Sequence, residues 1–437
     1  MTIQIKIDLP DEVEEILSKL KPWDAFAVGG CVRDSIMGRT PKDWDICTYV
    51  KPEQIIEIFQ DYKTILTGIK YGTVTVVINN QNFEVTTYRA DGEYSDGRHP
   101  DSVEFVNTLT ADLSRRDFTI NAMAYNDGWL TDLFGGCEDI HNKIIRCVGD
   151  PNDRFEEDAI RMMRAIRFAG DLGFTIEEET KNAIFNCRDK IKNVSIEGIR
   201  DEFNKILLNN RIYELGLLHL IDYFLPELND LHTTQNNKYH KYPVLSHTMI
   251  VMSVIEKNLI LKLAALFHDF GKPSCKIVGE DGFDHFYGHA PVSAEMTETI
   301  MRRMKYDNDT IVKVKTLVFY HDFTPVESKK SVKRLLNKIG EELFFNLLDL
   351  KVADIKAHSE ESQYQLPIVD AMRNMANNIL EEEECFTLKD LAIDGDDLIA
   401  LGMNPGRMFG VILNDLLEMV INEELENTRE ILLGFIQ

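Results

Sequence analysis

The chain lacks any apolar run that approaches the ~20 residues needed to span a bilayer, so no membrane partner is expected. Its opening, MTIQIKIDLPDEVEEIL, reaches acidic residues at once and does not resemble a secretory signal. Cysteine is sparse. Seven residues, odd in number and scattered, offer no disulfide framework and suit a reducing compartment, so the expected location is the cytoplasm. No low-complexity tract exceeds Glu381–Glu384, and no fixed-period repeat is present, which excludes solenoids and tail-like segments. Positive charge is also short: 48 Lys and Arg against 73 Asp and Glu leave a net charge of −25. That balance argues against broad electrostatic binding of nucleic acid and permits only a local basic groove. Against these absences stand 437 residues, 44% of them hydrophobic. Such a length exceeds one compact core, and two to four domains are expected.

The stretch Asp24–Val50 organises the rest. Ala25–Val28 reads as a short strand ending in Gly29-Gly30, where the backbone can turn without a Cβ clash. A helix over Val32–Met37 follows, whose unpaired first N–H groups suit a phosphate, and Arg33 adds a forked cation beside them. Lys42–Cys47 then reads as a second strand. Period two puts Asp43 and Asp45 on one face and Trp44 and Ile46 on the other. Two neighbouring carboxylates repel unless a cation lies between them, and Mg²⁺ shared with substrate phosphates resolves the conflict. A polar surface strand would also show D-x-D; the Gly-Gly turn just ahead of it favours the phosphate-and-metal reading.

Further along, Asp11–Leu20 and Lys51–Asp61 have helical spacing, and Gly72–Asn79 with Phe83–Arg89 reads as a hairpin turning at Asn80–Asn82. Glu84 falls early on the returning strand, as a third carboxylate beside Asp43 and Asp45 or as a solvated residue. Ala90–Val106 is polar and glycine-bearing, the pattern of a mobile loop. Arg115-Arg116-Asp117 precedes what reads as an apolar helix, and two arginines there can clamp phosphate or ribose oxygens. Gly128–Gly149 reads as strand, Gly-Gly turn, short helix and strand. From Phe155 to the C-terminus the pattern is helical, which marks a boundary near 150.

Asp158, Arg161, Arg164 and Arg167 recur every third residue and so share one drifting helix face. A salt-bridge ladder on a solvated helix has the same spacing. The alternative is base recognition. Cytosine and adenine both show an amino donor beside an unprotonated ring nitrogen, while guanine and uracil reverse both groups. A carboxylate at Asp158 and a guanidinium at Arg161 would select C and A together, since G or U would leave polar groups unpaired.

The motifs GGCVRDSIMGRTPKDWDI, FEVTTYR, DLSRRDFTINAMA and EDAIRMMRAIRFAGDLGF, in that order over roughly the first 210 residues, resemble the class II nucleotidyltransferases that add CCA to tRNA 3′ ends. That group includes bacterial poly(A) polymerases. The resemblance implies an α+β, polymerase-β-like nucleotidyltransferase head over 1–150, a base-reading helical neck over 151–225, a helical HD-type body over 226–370 and a helical tail over 371–437. It implies Asp43 and Asp45 as the Mg²⁺-binding catalytic pair, with Glu84 added as a catalytic carboxylate from its strand position, and Gly29, Gly30 and Arg33 at the triphosphate. Arg115 and Arg116 would lie near sugar and phosphates, and Asp158 and Arg161 would be the protein template, supported by Arg164 and Arg167. The implied partners are tRNA, ATP and CTP. Leu391–Glu418 is similar to the tail segment of such proteins, with Gly402 and Asn404-Pro405-Gly406 joining two helices.

His247, His268-Asp269, His289, His321-Asp322 and Asp354 recur beside apolar helical runs. This resembles the HD domain, which implies His247, His268, Asp269 and Asp354 as ligands of a divalent metal used for phosphoester hydrolysis, with His289 and His321 completing a second position. Imidazole with carboxylate suits Mn²⁺, Ni²⁺, Fe²⁺ or Mg²⁺ alike. The polar stretch NNKYHKYP adds Lys238, His240 and Lys241, which charge alone marks as a tRNA grip. The expected activity is CCA addition from CTP and ATP by a two-metal mechanism. The alternatives are A-only, CC-only or poly(A) addition by the same fold, or a metal-dependent phosphohydrolase whose head only binds nucleotide. A non-catalytic RNA-binding protein has little support against the full set of carboxylates.

Overall fold

Period-two alternation in the first third of the chain yields a mixed sheet, and helices follow. The computed structural model describes residues 2–91 and 103–436 and divides into two units, Met1–Pro226 and Glu227–Gln437. The strands are β1 (Thr2–Gln4), β2 (Phe26–Val28), β3 (Asp45–Thr48), β4 (Lys63–Ile65), β5 (Thr73–Ile78), β6 (Gln81–Thr87), β7 (Arg89–Asp91), β8 (Val103–Phe105), β9 (Met123–Asn126) and β10 (Trp129–Asp132). Among the described residues, eight of them form one sheet in the order β1-β10-β9-β2-β3-β6-β5-β4, and β7 pairs with β8. Most of the expected loop over 90–106 falls at positions 92–102, outside the described residues; its flanks are these two paired strands.

The hairpin shows how local chemistry sets register. Strand β5 buries Val74, Val76 and Ile78 and leaves the alternate residues half-buried. The chain returns through Asn79 and Asn80, both at positive φ (49° and 62°), which asparagine tolerates and which a two-residue hairpin turn requires. Gln81 and Asn82, expected in the turn, already pair with Ile78 and Val77.

Helices α1 (Asp11–Lys19), α2 (Gly30–Ile36) and α3 (Pro52–Ile58) join the sheet in one core. That core takes Val13 and Ile16 from α1, Val32 from α2 and Ile55 from α3, against Trp44, Ile46, Val76 and Val85. The opposite sheet face carries only a small apolar cluster, Val28, Cys47, Tyr88, Leu113 and Ala124, and beside it lie the polar residues of the site. Helix α4 (Leu109–Ser114) leads into Arg115-Arg116-Asp117, and the apolar helix expected next does not form. Asp117 Oδ1 accepts bonds from Phe118 N (2.8 Å) and Asn121 Nδ2 (3.1 Å), local partners that compete with helix. One 3₁₀ turn, Thr119–Asn121, gives way to β9. Helix α5 (Gly136–Asn142) opens on a glycine for a steric reason: a Cβ at Gly136 would lie 2.4 Å from the Thr119 carbonyl oxygen.

Helices α6 (Pro151–Glu157), α7 (Ile160–Leu172), α8 (Glu178–Cys187), α9 (Ile196–Leu208) and α10 (Ile212–Leu217) complete the first unit. The helical run is interrupted once, where Thr175–Ile176 pairs in parallel with Ile144–Ile145. The second unit contains α11 (Val244–Val254), α12 (Leu259–Phe267), α13 (Lys272–Cys275), α14 (His289–Arg303), α15 (Asn308–Tyr320), α16 (Lys329–Ile339), α17 (Glu341–Ala357), α18 (Leu366–Glu381), α19 (Gly395–Ala400), α20 (Arg407–Ile421) and α21 (Arg429–Ile436). A short hairpin, Ile277–Val278 with Asp284–His285, is its departure from helix. Val332, Leu336, Phe344, Leu348 and Val369 form one core there, and Leu391, Leu416, Ile421 and Leu432 another. In that second core α19 and α20 flank Gly402 (φ 85°) and the Asn404-Pro405-Gly406 turn, as the tail segment was expected to fold.

Candidate active site and a second polar cluster

The site begins where β2 stops. Gly29 has φ 87°, and a Cβ there would meet Arg116 Nη1 at 3.0 Å, so both conformation and space call for glycine. Helix α2 opens at Gly30, two residues before the expected start. Arg33 on its inner face donates from Nη1 to Asn121 Oδ1 (2.7 Å) and from Nε to Asp34 Oδ1 (2.9 Å).

Strand β2 runs antiparallel to β3 with Val28 opposite Asp45, and β3 runs parallel to β6 with Asp45 opposite Glu84. Register thus sets two carboxylates side by side just past the Gly-Gly turn. Asp43 lies before the strand and exposed, while Trp44 and Ile46 are buried, the alternation expected from sequence. Burial, then the nearby Glu84 carboxylate and Asp43, push the Asp45 carboxyl up to about 6 against the pull of Arg116. A carboxylate crowded by like charge in this way fits a divalent cation. Asp112, fully buried below, takes Arg115 Nη2 at 2.7 Å and Arg116 Nη2 at 3.2 Å. Burial pushes its carboxyl up, but Arg116 and Arg115 outweigh this and hold it below the usual range.

The residues expected to read the base differ in one respect from the sequence expectation. Asp158 is not on a helix: α6 ends at Glu157, and Asp158 is extended (φ −144°, ψ 100°) in the break before α7. Its Oδ1 accepts from Ile160 N at 3.1 Å, so from just ahead of Ala159, the N-cap, it holds the first N–H of α7 instead of lying on the helix face. Burial raises its carboxyl to about 6, opposed by Arg161 and the Ile160 N–H. Arg161 donates to Glu157 Oε2 (2.8 Å) and to the Arg115 carbonyl (2.9 Å), with Nε 3.9 Å from Asp158 Oδ2. Arg164 forks onto Asp117 Oδ2 (2.9 and 2.6 Å), and Arg167 pairs with Glu202 at 2.9 Å.

One cavity of about 640 Å³ takes in Glu84, Arg115, Arg116, Asp158, Arg161 and Arg164. Gly29, Gly30, Arg33, Asp43, Asp45 and Arg167 do not line it; Asp45 adjoins it through its strand neighbour Glu84 and through Arg116. Glu84 and the acid–guanidinium pair of Asp158 and Arg161 therefore face the same space, whose size suits a nucleotide. Sequence reasoning missed Asp112, Asp117, Asn121, Glu157 and Glu202 as anchors; Asp117 carried a signal, being the acid next to two arginines.

Residues 25–146 match the poly(A) polymerase head domain, 173–231 a probable RNA and SrmB-binding site of polymerase A, and 285–436 tRNA nucleotidyltransferase domain 2. The CCA-adding enzyme of Lactobacillus helveticus is 36% identical across 97% of both chains, and that of Enterococcus faecalis 32% identical across 98% of this chain and 96% of the relative. The chain belongs to the CCA-adding enzyme family. It is a nucleotidyltransferase, with a polymerase head domain of mixed sheet followed by helical domains. The solved CCA-adding enzyme of Bacillus stearothermophilus in complex with CTP superposes with a TM-score of 0.74 at 28% identity, covering 97% of this chain and 96% of that one. The Thermotoga maritima CCA-adding enzyme complexed with tRNA shares the fold at 18% identity and a TM-score of 0.61, covering 100% of both chains. Among the described residues, no helix is long and apolar enough to cross a membrane.

This member of the CCA-adding family carries a second polar cluster. His247, His268 and Asp354 form one tight buried group, and Asp269, His289 and His321 another. The sequence grouped Asp269 with the first set; in space it faces both, with Oδ2 3.1 Å from His268 Nε2 and Oδ1 3.4 and 3.6 Å from the Nε2 atoms of His289 and His321. The histidine Nδ1 atoms of His268, His289 and His321 lie 2.8, 2.9 and 2.7 Å from the carbonyls of Ala265, Phe286 and Val318. Donation there leaves each Nε2 a bare lone pair, yet His289 and His321 point theirs at each other across 3.1 Å. Converging lone pairs of this kind fit a divalent cation. Asp322 is exposed at the rim. His240, marked by sequence for an RNA grip, turns inward to Lys272 Nζ (3.2 Å), and burial with that lysine's charge pushes its ring down to about 2, so it carries no charge to offer RNA.

Burial raises the Asp117 carboxyl, but Arg164 and the Asn121 bond outweigh it and hold it at about 2. The depressed value means stability present above the ordinary carboxylate range and lost as pH falls through about 2. Asp117→Asn should therefore lower unfolding free energy by roughly 2 kcal/mol at neutral pH. Urea titrations should show the difference from the unsubstituted chain shrinking below about pH 4.

Proposed function

We propose that this chain adds C and A to the tRNA 3′ end from CTP and ATP, without a nucleic-acid template. The observation that carries the reading is the single cavity shared by Glu84, beside Asp45, and by Asp158 with Arg161. In this reading the four regions are a head over 1–150, a neck over 151–225, an HD-type body over 226–370 and a tail over 371–437. Asp43 and Asp45, with Glu84 adjoining, hold Mg²⁺ with the triphosphate. Bound there, Mg²⁺ would supply the positive charge that lowers the pKa of the attacking 3′ hydroxyl and offsets charge on the departing pyrophosphate. The protein's own part is positioning. Gly29 and Gly30 let the backbone approach the phosphates, Arg33 and Arg116 offer them guanidinium forks, and Arg115 lies toward the sugar. Asp158 accepts from the amino group of C or A while Arg161 donates to the ring nitrogen, with Arg164 and Arg167 keeping that helix in place. Seven free cysteines support a cytoplasmic setting.

A second reading concerns the body. The converging histidine lone pairs around Asp269 favour a metal centre of Mn²⁺, Ni²⁺, Fe²⁺ or Mg²⁺ type that hydrolyses phosphoesters, with His247, His268, Asp269 and Asp354 as ligands and His289 and His321 extending it.

A tRNA lacking its end, incubated with each NTP alone and in mixtures with Mg²⁺, should gain CCA; gain of A alone or of CC alone would replace the reading with its restricted relatives. Asp45→Ala should abolish addition with tRNA affinity kept, and retained addition would refute the metal role. Asp158→Ala should raise UTP incorporation relative to CTP. In the unsubstituted chain the same ratio should climb as pH falls below about 6, where the Asp158 carboxyl gains a proton and becomes a donor suited to the uracil carbonyl. His268→Ala should lose metal retained after gel filtration, read by elemental analysis, while nucleotide addition stays intact; loss of addition together with the metal would count against two separate centres.

A further inference from the structure

The ring of Phe168, nearly buried on α7, sits under three guanidinium groups: Arg33 at 5.2 Å, Arg164 at 5.3 Å and Arg167 at 4.2 Å from its centroid. One comes from the head helix that follows the Gly-Gly turn, and two come from the neck helix that follows Asp158. Three like charges on one side chain repel, and each is answered by its own carboxylate: Asp34 at 2.8 Å from Arg33, Asp117 at 2.6 Å from Arg164 and Glu202 at 2.9 Å from Arg167. A hydrogen-bond chain runs beside the ring, from Arg33 through Asn121 (2.7 Å) and Asp117 (3.1 Å) to Arg164. Phe118 meets Phe168 edge to face at 5.8 Å, which orients the ring. An aliphatic residue of similar size would fill the space but present no negative π face to the cations.

We propose that Phe168 is a positioning residue which, through cation–π contact, ties the phosphate-holding Arg33 to the base-supporting Arg164 and Arg167, so that the two ends of the nucleotide site are set as one unit. Phe168 does not line the cavity and acts through the arginines. The inference rests on the nucleotide-site reading given above. A ring that only filled space would matter to folding and to nothing else. A ring that sets the arginines must affect both ends at once.

The test uses the full chain with Phe168→Leu and Phe168→Tyr. Inorganic tripolyphosphate binding by calorimetry reports the phosphate end, the ratio of UTP to CTP incorporation reports the base end, and thermal unfolding reports packing. Phe168→Leu should weaken tripolyphosphate binding and raise the UTP ratio, each by about three- to tenfold. Phe168→Tyr, which keeps the π face, should stay near the unsubstituted chain in both. Should leucine lower the unfolding temperature, Phe168→Met, an unbranched filler, supplies the same comparison in a folded chain. Loss at one end only, loss at neither, or equal loss in the tyrosine variant would overturn the proposal. An unsubstituted chain that fails to extend trimmed tRNA would overturn the function reading instead, and tripolyphosphate binding would still judge the ring.

Discussion

Two carboxylates in register on adjacent strands create a repulsion that the rest of the first unit is arranged around. Asp45 and Glu84 are paired by the parallel ladder of β3 and β6, and neither can leave without slipping every side chain of its strand to the other face. Trp44, Ile46, Phe83 and Val85 pin that register from the apolar side. The sheet core therefore holds like charges together, and the Asp45 carboxyl is raised first by its burial and then by the Glu84 charge, against the pull of Arg116. In the proposed reading, the Gly-Gly turn beside Val28 and the arginines beyond it would bring anionic substrate to the same place.

A chain with net charge −25 cannot attract a triphosphate by its overall field. Its arginines work by orientation. Four of those lining the cavity are held by acids: Arg115 and Arg116 share Asp112, Arg161 pairs with Glu157 and Arg164 with Asp117. The pairing lowers local net charge but fixes the planar forks before substrate arrives, which spares ordering entropy on binding. Part of the acidic excess is thus scaffolding for the basic groups.

The strands, the Gly-Gly turn and the D-x-D carboxylates were legible because period two and the steric needs of glycine act within a few residues. The spacing Asp158-Arg161-Arg164-Arg167 was also visible, yet it suggested one continuous helix. Asp158 breaks that helix because its side chain competes for a backbone N–H, a local choice that charge periodicity does not encode. The residues after Asp117 failed as a helix for the same cause, and their apolar character belonged to a strand completed by β2 and β10. Asp112, Asn121 and Glu202 could not be read at all, since each gains its role from a partner brought near only by the fold.

The two polar clusters answer the same difficulty, buried charge, in different ways. In the first unit, arginine and carboxylate are matched pair by pair, and what is left over is a crowd of acids suited to a cation that arrives with substrate. In the second, three histidines commit their Nδ1 protons to backbone carbonyls at helix ends and aim their remaining lone pairs inward around Asp269. With both Nδ1 protons given to carbonyls, a second proton on one ring would be needed to bridge the 3.1 Å approach of His289 and His321, and burial opposes that at His321 against the pull of Asp269. Two neutral rings facing each other in this way offer both lone pairs to one electron-pair acceptor. The histidine cluster thus converges donor atoms of the protein alone, while the carboxylate cluster sets Asp45 and Glu84 in register beside an open cavity.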